Sequence, residues 1–526
     1  MKAVQEENQK KRILFSTIKM AIATFSSRVF GLVREQVMAA MFGASGLTDA
    51  FMVAYRIPNM LRDLFAEGAF SSAFVPIFTE VRLKDEALAK RLMWSLFIVL
   101  GIVTGVIATL IIVFAPQVTA LMTDAAFTED HERFELTVTL VRIMAPFLTL
   151  VSIAALFMGA LNSLKVFFVP SFAPVFFNIL MILCMLILPP QLEARGLHPI
   201  LSMGIGVIVG GLAQMLFQVP SLLKARYGFT GPLSFWNNDI KRIFNRVGIG
   251  IIGIAATQIN VLINTILATG AGVGAVSWLT YAFRLFQFPV GILSVSIAGS
   301  NLVHFSESWK KGNKDEARKA LGTSYILSWV TVAPALALML SLSQETVSLI
   351  FERGRFLSTD TIPTAQALIL YAIGLPFYGL YKIFAPTFYS LDKPRLPVAI
   401  SVVSIAINLA FCIWATPRYG FLMLALGTSI SVIINCSIQA WYLIRLLELN
   451  LSFFLNLKLL KILLAAAASF LAVMQLKVFT PMLGMALPVK ALNYFFICAT
   501  GASIYALALL LMGEHQILKR LLKRKK

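Results

Sequence analysis

Fourteen long apolar runs constrain this chain more than any other feature of its sequence. A transmembrane helix needs about 20 consecutive, mostly apolar residues, and ordinary soluble domains do not contain many such runs. With 58% hydrophobic and only 13% charged residues, the 526-residue chain is typical of a helical protein that crosses the membrane many times. The runs lie roughly at 15–42, 47–79, 92–115, 136–162, 168–189, 199–222, 243–269, 273–303, 320–344, 362–390, 396–415, 421–447, 458–479 and 488–512.

The second run, 47–79, is too long for one straight span. Pro58, Gly68 and Pro76 fall inside it, and residues of these two types bend or interrupt helices. We therefore predict an all-α polytopic membrane protein with about 14 transmembrane helices, the second of them kinked or broken.

The formal charge of +20 is distributed as membrane topology predicts. If the N-terminus is cytoplasmic and the loops alternate, thirty Lys and Arg residues fall on the cytoplasmic side and seven on the outer side. This asymmetry is the positive-inside pattern, so both termini are expected in the cytoplasm. The basic tail after residue 518 is then expected to contact anionic phospholipid, and nucleic acid is not an expected partner.

No residue pattern indicates a metal, a cofactor or ATP. The cysteines do not follow metal-ligand spacing, and no phosphate-binding P-loop motif occurs. We expect a transporter without a cofactor, driven by the membrane potential or by a coupling ion, Na+ or H+. The four scattered cysteines are Cys184, Cys412, Cys436 and Cys498.

A weak internal repeat divides most of the chain into two halves. Four short matches occur in the same order, at offsets of 227 to 230 residues. They pair 54–56 with 282–284, 78–80 with 305–307, 84–90 with 314–320, and 145–147 with 375–377.

Each half contains six runs, so the second half enters the membrane in the same sense as the first. Such parallel repeats occur in transporters that bind substrate between their halves. The predicted domains are an N-lobe at 1–225, a C-lobe at 226–450, and two additional helices with a basic tail at 451–526.

Charged residues inside the apolar runs are the candidate functional residues. A charge at the bilayer centre costs roughly 2.5–3.5 kcal/mol, so such residues face a partner, water or a ligand. The arginines are Arg28, Arg34, Arg56, Arg62 and Arg284, and the nearby acids are Glu35, Asp49, Asp63 and Glu67.

The spacing of these charges predicts two stripes. Arg28 and Glu35 are seven residues apart and share a helix face, and Asp49, Arg56 and Asp63 also step by seven. Buried ion pairs that only join helices are one interpretation of the set. Because arginine suits forked recognition of phosphate oxygens, the other is a cleft for an anionic, phosphate-bearing substrate.

The stretches SRVFGLVREQVMAAMFG, RIPNMLRDLFAEGAFSSAFVP and SWLTYAFRLFQFPVGILSVSIA resemble the MurJ (MviN) family of lipid II flippases in the MOP transporter superfamily. The resemblance extends over nearly the whole chain. It implies that the protein moves the undecaprenyl-diphosphate-linked peptidoglycan precursor from the inner to the outer leaflet of the bacterial cytoplasmic membrane by alternating access.

The same resemblance implies roles for particular residues. Family positions for diphosphate binding correspond to Arg28, Arg34, Arg62 and Arg284, with acids at Asp49 and Glu67. The last two helices are expected to hold the polyprenyl tail. Some relatives bind sodium in the second lobe, where this chain offers only polar residues such as Asn408. Supporting or gating residues are expected at Asp49, Glu67, Glu35, Arg56 and Asp63.

We also expect the glycine-rich turns at 43–46 and 270–274, on the outer side, to act as a gate. The protein is expected to work as a monomer alongside cell wall synthesis proteins.

Alternatives remain open: a flippase for another polyprenyl-linked glycan, a cation-coupled multidrug exporter, or a transferase acting on polyprenyl lipids. The exporter would need an acid-rich cleft, and the transferase would need clustered aspartates for Mg²⁺, which the sequence lacks.

Overall fold

The computed structural model describes residues 2–63, 69–231, 233, 235 and 237–515. Every regular element in these residues is helical, so the prediction of an all-α protein is confirmed. The contacts within the chain define two compact units, residues 1–276 and 277–526.

In the first unit, α1 packs along α9, α9 packs along α11, α2 packs against α7, and α13 packs against α3. Its described helices are α1 (Lys2–Phe42), α2 (Gly46–Arg62), α3 (Ala69–Lys84), α4 (Glu86–Val113), α5 (Ala115–Leu121), α6 (Ala125–Glu129), α7 (His131–Met144), α8 (Phe147–Ser163), α9 (Phe168–Ile187), α10 (Pro189–Glu193), α11 (Leu201–Leu216), α12 (Val219–Lys224) and α13 (Asn238–Gly270).

In the second unit, α15 packs against α16 and α19, α20 pairs with α21, and α22 pairs with α23 against α16. Its described helices are α14 (Ala275–Pro289, which begins two residues before the boundary), α15 (Val295–Lys310), α16 (Lys314–Ser341), α17 (Ser343–Phe351), α18 (Ser358–Ile373), α19 (Leu375–Ser390), α20 (Arg395–Tyr419), α21 (Leu422–Leu446), α22 (Leu457–Phe479) and α23 (Leu487–Leu511).

Nine helical stretches within the described residues are long and apolar enough to cross a membrane, and the bent pair α18–α19 makes a tenth. The four predicted runs that do not meet this criterion are 15–42, 47–79, 243–269 and 273–303. These are the first two runs of each predicted half, and they include all the runs that carry the candidate arginines. A multi-pass membrane protein is therefore supported, and the total of fourteen spans stays a prediction.

The second run of each half differs in how much of it the structure describes. In the first half, α2 ends at Arg62, α3 begins at Ala69, and residues 64–68 lie outside the described residues, so the break in run 47–79 stays a prediction. Pro58 and Pro76 lie inside α2 and α3. In the second half, a short π-helical segment at Val290–Ser294 separates α14 from α15. Such departures from regular helix are frequent at functional sites.

Hydroxyl contacts repeat between the two halves as well. The hydroxyls of Thr79 and Ser163 lie 2.6 Å apart, and those of Ser306 and Ser390 also lie 2.6 Å apart. Each pair is separated by 84 residues in sequence, and the pairs are related by an offset of 227. The internal repeat therefore extends to tertiary contacts.

Helices α4 and α16 are the clearest equivalent elements. Each contains 28 residues and begins after a capping side chain, Asp85 for α4 and Asn313 for α16. Such caps accept hydrogen bonds from backbone N–H groups that the first turn leaves unpaired. The domain boundaries at 225 and 450 stay predictions, and α13 belongs to the first compact unit by its contacts.

Candidate functional site

Arg34 is a nearly buried cation on α1. Its side chain is 12% exposed, and its Nη2 donates to Oε1 of Glu35 at 2.6 Å. The guanidinium carbon lies 5.9 Å from the ring centre of Phe177, within the range of a cation–π contact. The sequence placed Glu35 on a common stripe with Arg28, whereas the structure pairs Glu35 with its chain neighbour Arg34.

The aromatic ring beside Arg34 belongs to a row of rings from three helices. The ring centres of Tyr55 and Phe147 are 6.4 Å apart, and those of Phe147 and Phe177 are 5.6 Å apart. This row requires Gly211 on α11, because a Cβ there would lie only 2.6 Å from the Phe147 ring. The position of the Arg34 guanidinium thus depends on residues far from it in sequence.

Arg62 is the second candidate cation that the structure brings close to Arg34. It ends α2, and its Nη2 lies 3.2 Å from Oδ1 of Asp63. Arg62 and Tyr55 both lie within electrostatic range of Arg34. Guanidinium groups in apolar runs are suited to an anion with several oxygens.

The other predicted cations have different surroundings. The Arg28 side chain is exposed and makes no ion pair within the described part of the chain. Arg56 is half-buried on α2, and Arg284 is exposed on α14, at the equivalent position of the second half. The predicted site residue Glu67 lies outside the described residues.

Asp49 joins the two glycine-rich turns. It is fully buried in the first turn of α2, which Ser45 caps. Its Oδ2 accepts a hydrogen bond from the backbone N–H of Gly274 at 2.6 Å and lies 3.6 Å from Nη2 of Arg133. The Asp49 carboxylate, just after the turn at 43–46, therefore links this region to the turn at 270–274. From sequence spacing, Asp49 was expected on one helical stripe with Arg56.

A second contact reinforces this end, which we call the Gly-turn end. The backbone N–H of Asp124 donates to the Thr269 hydroxyl at 2.9 Å, and a Cβ on Gly270 would lie 2.6 Å from the Asp124 carboxyl carbon. The Arg133 guanidinium also stacks over Phe127 at 4.4 Å. Sequence reasoning missed Arg133, because nothing local distinguishes it from a solvated loop charge.

An exposed ion-pair network around Glu80 joins α3 to the first turns of α13, at the end of α13 opposite the Gly-turn end. Its carboxylate accepts from Lys84 at 2.8 Å and from Arg242 of α13 at 2.9 Å, and Arg242 also pairs with Asp239. Hydrogen bonds from Lys84 and Arg242 hold the pKa of the Glu80 carboxyl at about 2, below its ordinary value of 4.5. Helix α13 is thus joined to α2 at one end and to α3 at the other.

Asn408, the weak candidate for an ion site, lies buried on α20. Its side-chain oxygen accepts from the Cys412 thiol at 3.4 Å, and a Cβ on Gly427 would lie 2.8 Å from the same oxygen. Hard cations prefer oxygen ligands, so an ion here would have to displace the thiol. Among the described residues, no three His, Cys, Asp or Glu side chains converge as metal ligands.

Comparisons with known proteins agree with this architecture. The family profile described as "Lipid II flippase MurJ" matches residues 38–492. A probable lipid II flippase MurJ of Rickettsia prowazekii is 34% identical over 434 residues, covering 82% of each chain. A lipid II flippase MurJ of Burkholderia cenocepacia is 33% identical over 426 residues, covering 78% of this chain and 80% of the relative.

Solved structures show the same fold. A lipid II flippase MurJ in an inward closed conformation matches 94% of this chain and all of its own, with 25% identity and a TM-score of 0.76. An inward-facing multidrug transporter of the MATE family, of the MOP superfamily, matches 81% of this chain at 12% identity and a TM-score of 0.65. The second match shares the fold alone, whereas the sequence matches extend along most of the chain. The chain belongs to the lipid II flippase MurJ family.

Proposed function

We propose that this protein is a lipid II flippase that moves the undecaprenyl-diphosphate-linked peptidoglycan precursor from the inner to the outer leaflet of the bacterial cytoplasmic membrane. The family supports the substrate, because its members carry that name. The single observation that carries the site is the nearly buried guanidinium of Arg34, which is 12% exposed, pairs with Glu35 and lies in an apolar run.

Arg28, Arg34, Arg62 and Arg284 are the proposed ligands of the diphosphate. Arg34 lies beside Glu35 and Arg62 lies beside Asp63, and a neighbouring carboxylate lowers the cost of keeping a guanidinium at bilayer depth. The diphosphate oxygens would accept charge-assisted hydrogen bonds from the guanidinium N–H groups, which would replace the hydration that the substrate leaves behind. No covalent step is required, so the protein acts as a transporter and not as an enzyme.

Alternating access is proposed to operate through the two ends of α13. The Gly-turn end faces outward and the Glu80 end faces the cytoplasm, in the topology that the positive-inside pattern predicts. Both contacts are formed in the described state. Headgroup entry would require release of the Arg242–Glu80 pair, and headgroup exit would require release of Asp49 from Gly274.

The membrane potential is the proposed energy source. Moving one elementary charge through the field contributes about 2.3 kcal/mol per 100 mV. A coupling ion, Na+ or H+, is the second candidate, and the contact between Asn408 and Cys412 does not favour Asn408 as its ligand.

The surroundings of the protein follow from the same proposal. The polyprenyl tail would lie against α22 and α23, whose Leu471, Phe495 and Phe496 side chains are exposed. Phospholipid surrounds the remaining apolar surface. Each chain contains one complete transport path and works as a monomer. The lipid II that it delivers to the outer leaflet is the substrate of the enzymes of cell wall synthesis.

Two alternatives differ in substrate. A multidrug exporter shares the fold at 12% identity, but a cationic drug would meet the repelling charges of Arg34 and Arg62. A flippase for another polyprenyl-linked glycan would bind the same diphosphate. The test must therefore report on lipid II itself.

The experiment is complementation of a bacterial strain depleted of its own lipid II flippase. We expect the wild-type chain to restore growth and outer-leaflet lipid II, and single Ala variants of Arg28, Arg34, Arg62 and Arg284 to fail while still inserting in the membrane. Arg195→Ala, at an exposed arginine without an ion pair in the described residues, is the matched control. Full rescue by all four variants would refute the site, and growth without outer-leaflet lipid II would refute the substrate.

A further inference from the structure

A buried tyrosine in the first unit has a hydroxyl without a hydrogen-bond partner in the described part of the chain. Tyr227 follows α12 and is fully buried, its hydroxyl included. Its ring centre lies 6.0 Å from that of Phe78 on α3 and 5.5 Å from the Lys90 ammonium on α4. A buried hydroxyl without a partner is destabilising, so its presence here needs an explanation.

Arg82 has a second buried donor, its Nε–H. This group has no hydrogen-bond partner, and the guanidinium makes no ion pair, within the residues that the structure describes. Arg82 lies one helical turn beyond Phe78, so both side chains leave the same side of α3. Arg82 is also within electrostatic range of Tyr227. The two donors, an N–H and an O–H, therefore lie in the same region, and we call Arg82, Lys90 and Tyr227 the Tyr227 site.

The charges around the Tyr227 site are mostly positive. Glu86 is within electrostatic range of Tyr227, but its side chain is 62% exposed and its carboxylate lies 4.0 Å from the Lys90 ammonium. Arg226 directly precedes Tyr227 in the chain and adds a third cation. Three cations and one exposed acid leave an excess of positive charge, which favours an anionic ligand.

A hydrogen-bonded turn fixes Tyr227 in this position. Arg226 has a φ of 64°, in the left-handed region that often ends helices, and the Tyr227 N–H donates to the Leu222 carbonyl oxygen at 2.9 Å. The Trp94 indole N–H of α4 donates to the carbonyl oxygens of Tyr227 and Gly228, at 3.3 and 2.9 Å. The backbone around Tyr227 is thus bound to two helices, and its ring is held against α3 and α4.

The second half of the chain contains the same turn with the opposite charge. Glu448 follows the end of α21 with a φ of 52°, and the Leu449 N–H donates to the Ile444 carbonyl oxygen at 2.9 Å. Arg226 and Glu448 each come directly after the residue that caps the C-terminus of their helix. They therefore occupy equivalent positions of the repeat, with a base in the first half and an acid in the second.

In the second half, this acid is the acceptor for a cation. Lys90 and Arg318 both lie five residues after the N-cap of their helices, α4 and α16. The Arg318 guanidinium donates to the Glu448 carboxylate at 3.3 Å and to the Leu447 carbonyl oxygen at 2.8 Å. In the first half, Arg226 stands in place of the acid. The cations of the first half therefore need an acceptor from outside the chain.

Apolar side chains around the Tyr227 site favour a lipid as the source of that acceptor. The site lies between the start of run 92–115 and the end of run 199–222, on the side that the positive-inside pattern predicts to be cytoplasmic. Lys and Arg residues next to membrane helices attract the anionic lipids of that leaflet. Four large apolar residues close to the site in sequence are 43–77% exposed and would contact the hydrocarbon chains: Leu83, Leu88, Leu223 and Phe229.

We propose that the Tyr227 site binds the phosphate group of an anionic phospholipid from the cytoplasmic leaflet. The phosphate oxygens accept from the Arg82 Nε–H and from the Tyr227 hydroxyl, and Lys90 and Arg226 add favourable charge. The lipid thus replaces the acceptor that Glu448 supplies in the second half. None of the four proposed diphosphate ligands belongs to this site, so lipid binding here is separate from transport of the substrate.

The test is a titration of the full-length protein, purified without phospholipid in detergent, with phosphatidylglycerol. The readout is the midpoint of thermal unfolding, which a ligand of the folded state raises. We expect a saturable rise with phosphatidylglycerol, a smaller one with zwitterionic phosphatidylcholine and none with inorganic phosphate. Tyr227→Phe should bind phosphatidylglycerol about ten-fold more weakly, because one hydrogen bond to a charged group is lost.

The same variant has the opposite effect without lipid. Because Tyr227→Phe removes a buried hydroxyl that lacks a partner, its lipid-free midpoint should equal or exceed that of the wild type. Arg226→Glu copies the second half and should abolish the response to phosphatidylglycerol in a folded protein. Arg91→Gln is the matched control, at an exposed cation beside Lys90 that makes no ion pair in the described ranges, and it should keep the wild-type affinity.

Four results would overturn the proposal. Wild-type affinity in both Tyr227→Phe and Arg226→Glu would place the lipid elsewhere. An equal loss of affinity in Arg91→Gln would reduce the effect to general surface charge. A rise with inorganic phosphate equal to that with phosphatidylglycerol would assign the site to a soluble anion. A lower lipid-free midpoint for Tyr227→Phe would show that the hydroxyl already has a partner within the protein.

Discussion

The buried pair of Asp49 and Arg133 at the Gly-turn end should be measurable as a coupling energy. Asp49 is fully buried, the Arg133 side chain is 13% exposed, and their charged atoms are 3.6 Å apart. At an effective dielectric constant of about 20, two unit charges at this distance attract by roughly 5 kcal/mol. Desolvation and the second acid beside Arg133, Asp130, reduce this value. We expect a net coupling of about 2 kcal/mol, within the range found for contacting residues.

A double-mutant cycle provides the measurement. The variants are Asp49→Asn, Arg133→Met and the double variant, and the free energy of unfolding comes from detergent titration of the purified protein. Asp49→Asn keeps an oxygen that can accept from the Gly274 N–H, so this variant separates the charge from the hydrogen bond.

Asp49→Asn alone should cost about 3 kcal/mol, because it leaves Arg133 partly buried with one fewer partner. The double variant should cost less than the sum of the two single variants. Arg195→Met, at an exposed site, should leave the free energy of unfolding unchanged. A coupling below about 0.5 kcal/mol would show that the two charges do not stabilise this end of the protein.

Three further outcomes follow from particular contacts. Gly211→Ala should destabilise the protein by about 1–3 kcal/mol in the same titration and reduce complementation, because the new methyl group displaces Phe147; unchanged growth and stability would contradict this reasoning. Because the pKa of Glu80 is about 2, its ion pairs are complete above pH 4.5 and are lost only as the pH falls toward 2. Glu80→Gln should therefore alter flipping in vesicles equally at pH 6 and pH 8, and a defect confined to one of these values would argue against the assignment. Tyr505→Phe should cost about 1 kcal/mol of unfolding free energy, since it removes the hydrogen bond to the Val330 carbonyl oxygen; no loss would show that this bond does not hold α23 against α16.

The sequence by itself determined the class of the protein and its internal repeat. Apolar run length and local caps such as Asp85 and Asn313 depend on neighbouring residues, so the helices follow from the order of the amino acids. The resemblance to the MurJ family could also be recognised from the sequence, because the family motifs consist of consecutive residues.

Only the tertiary structure decided which charges meet. Helical spacing correctly limits the faces of a helix, but it does not say which other helix lies against a face. Glu35 therefore pairs with Arg34 although it shares a helix face with Arg28, and Asp49 pairs with Arg133 from another helix.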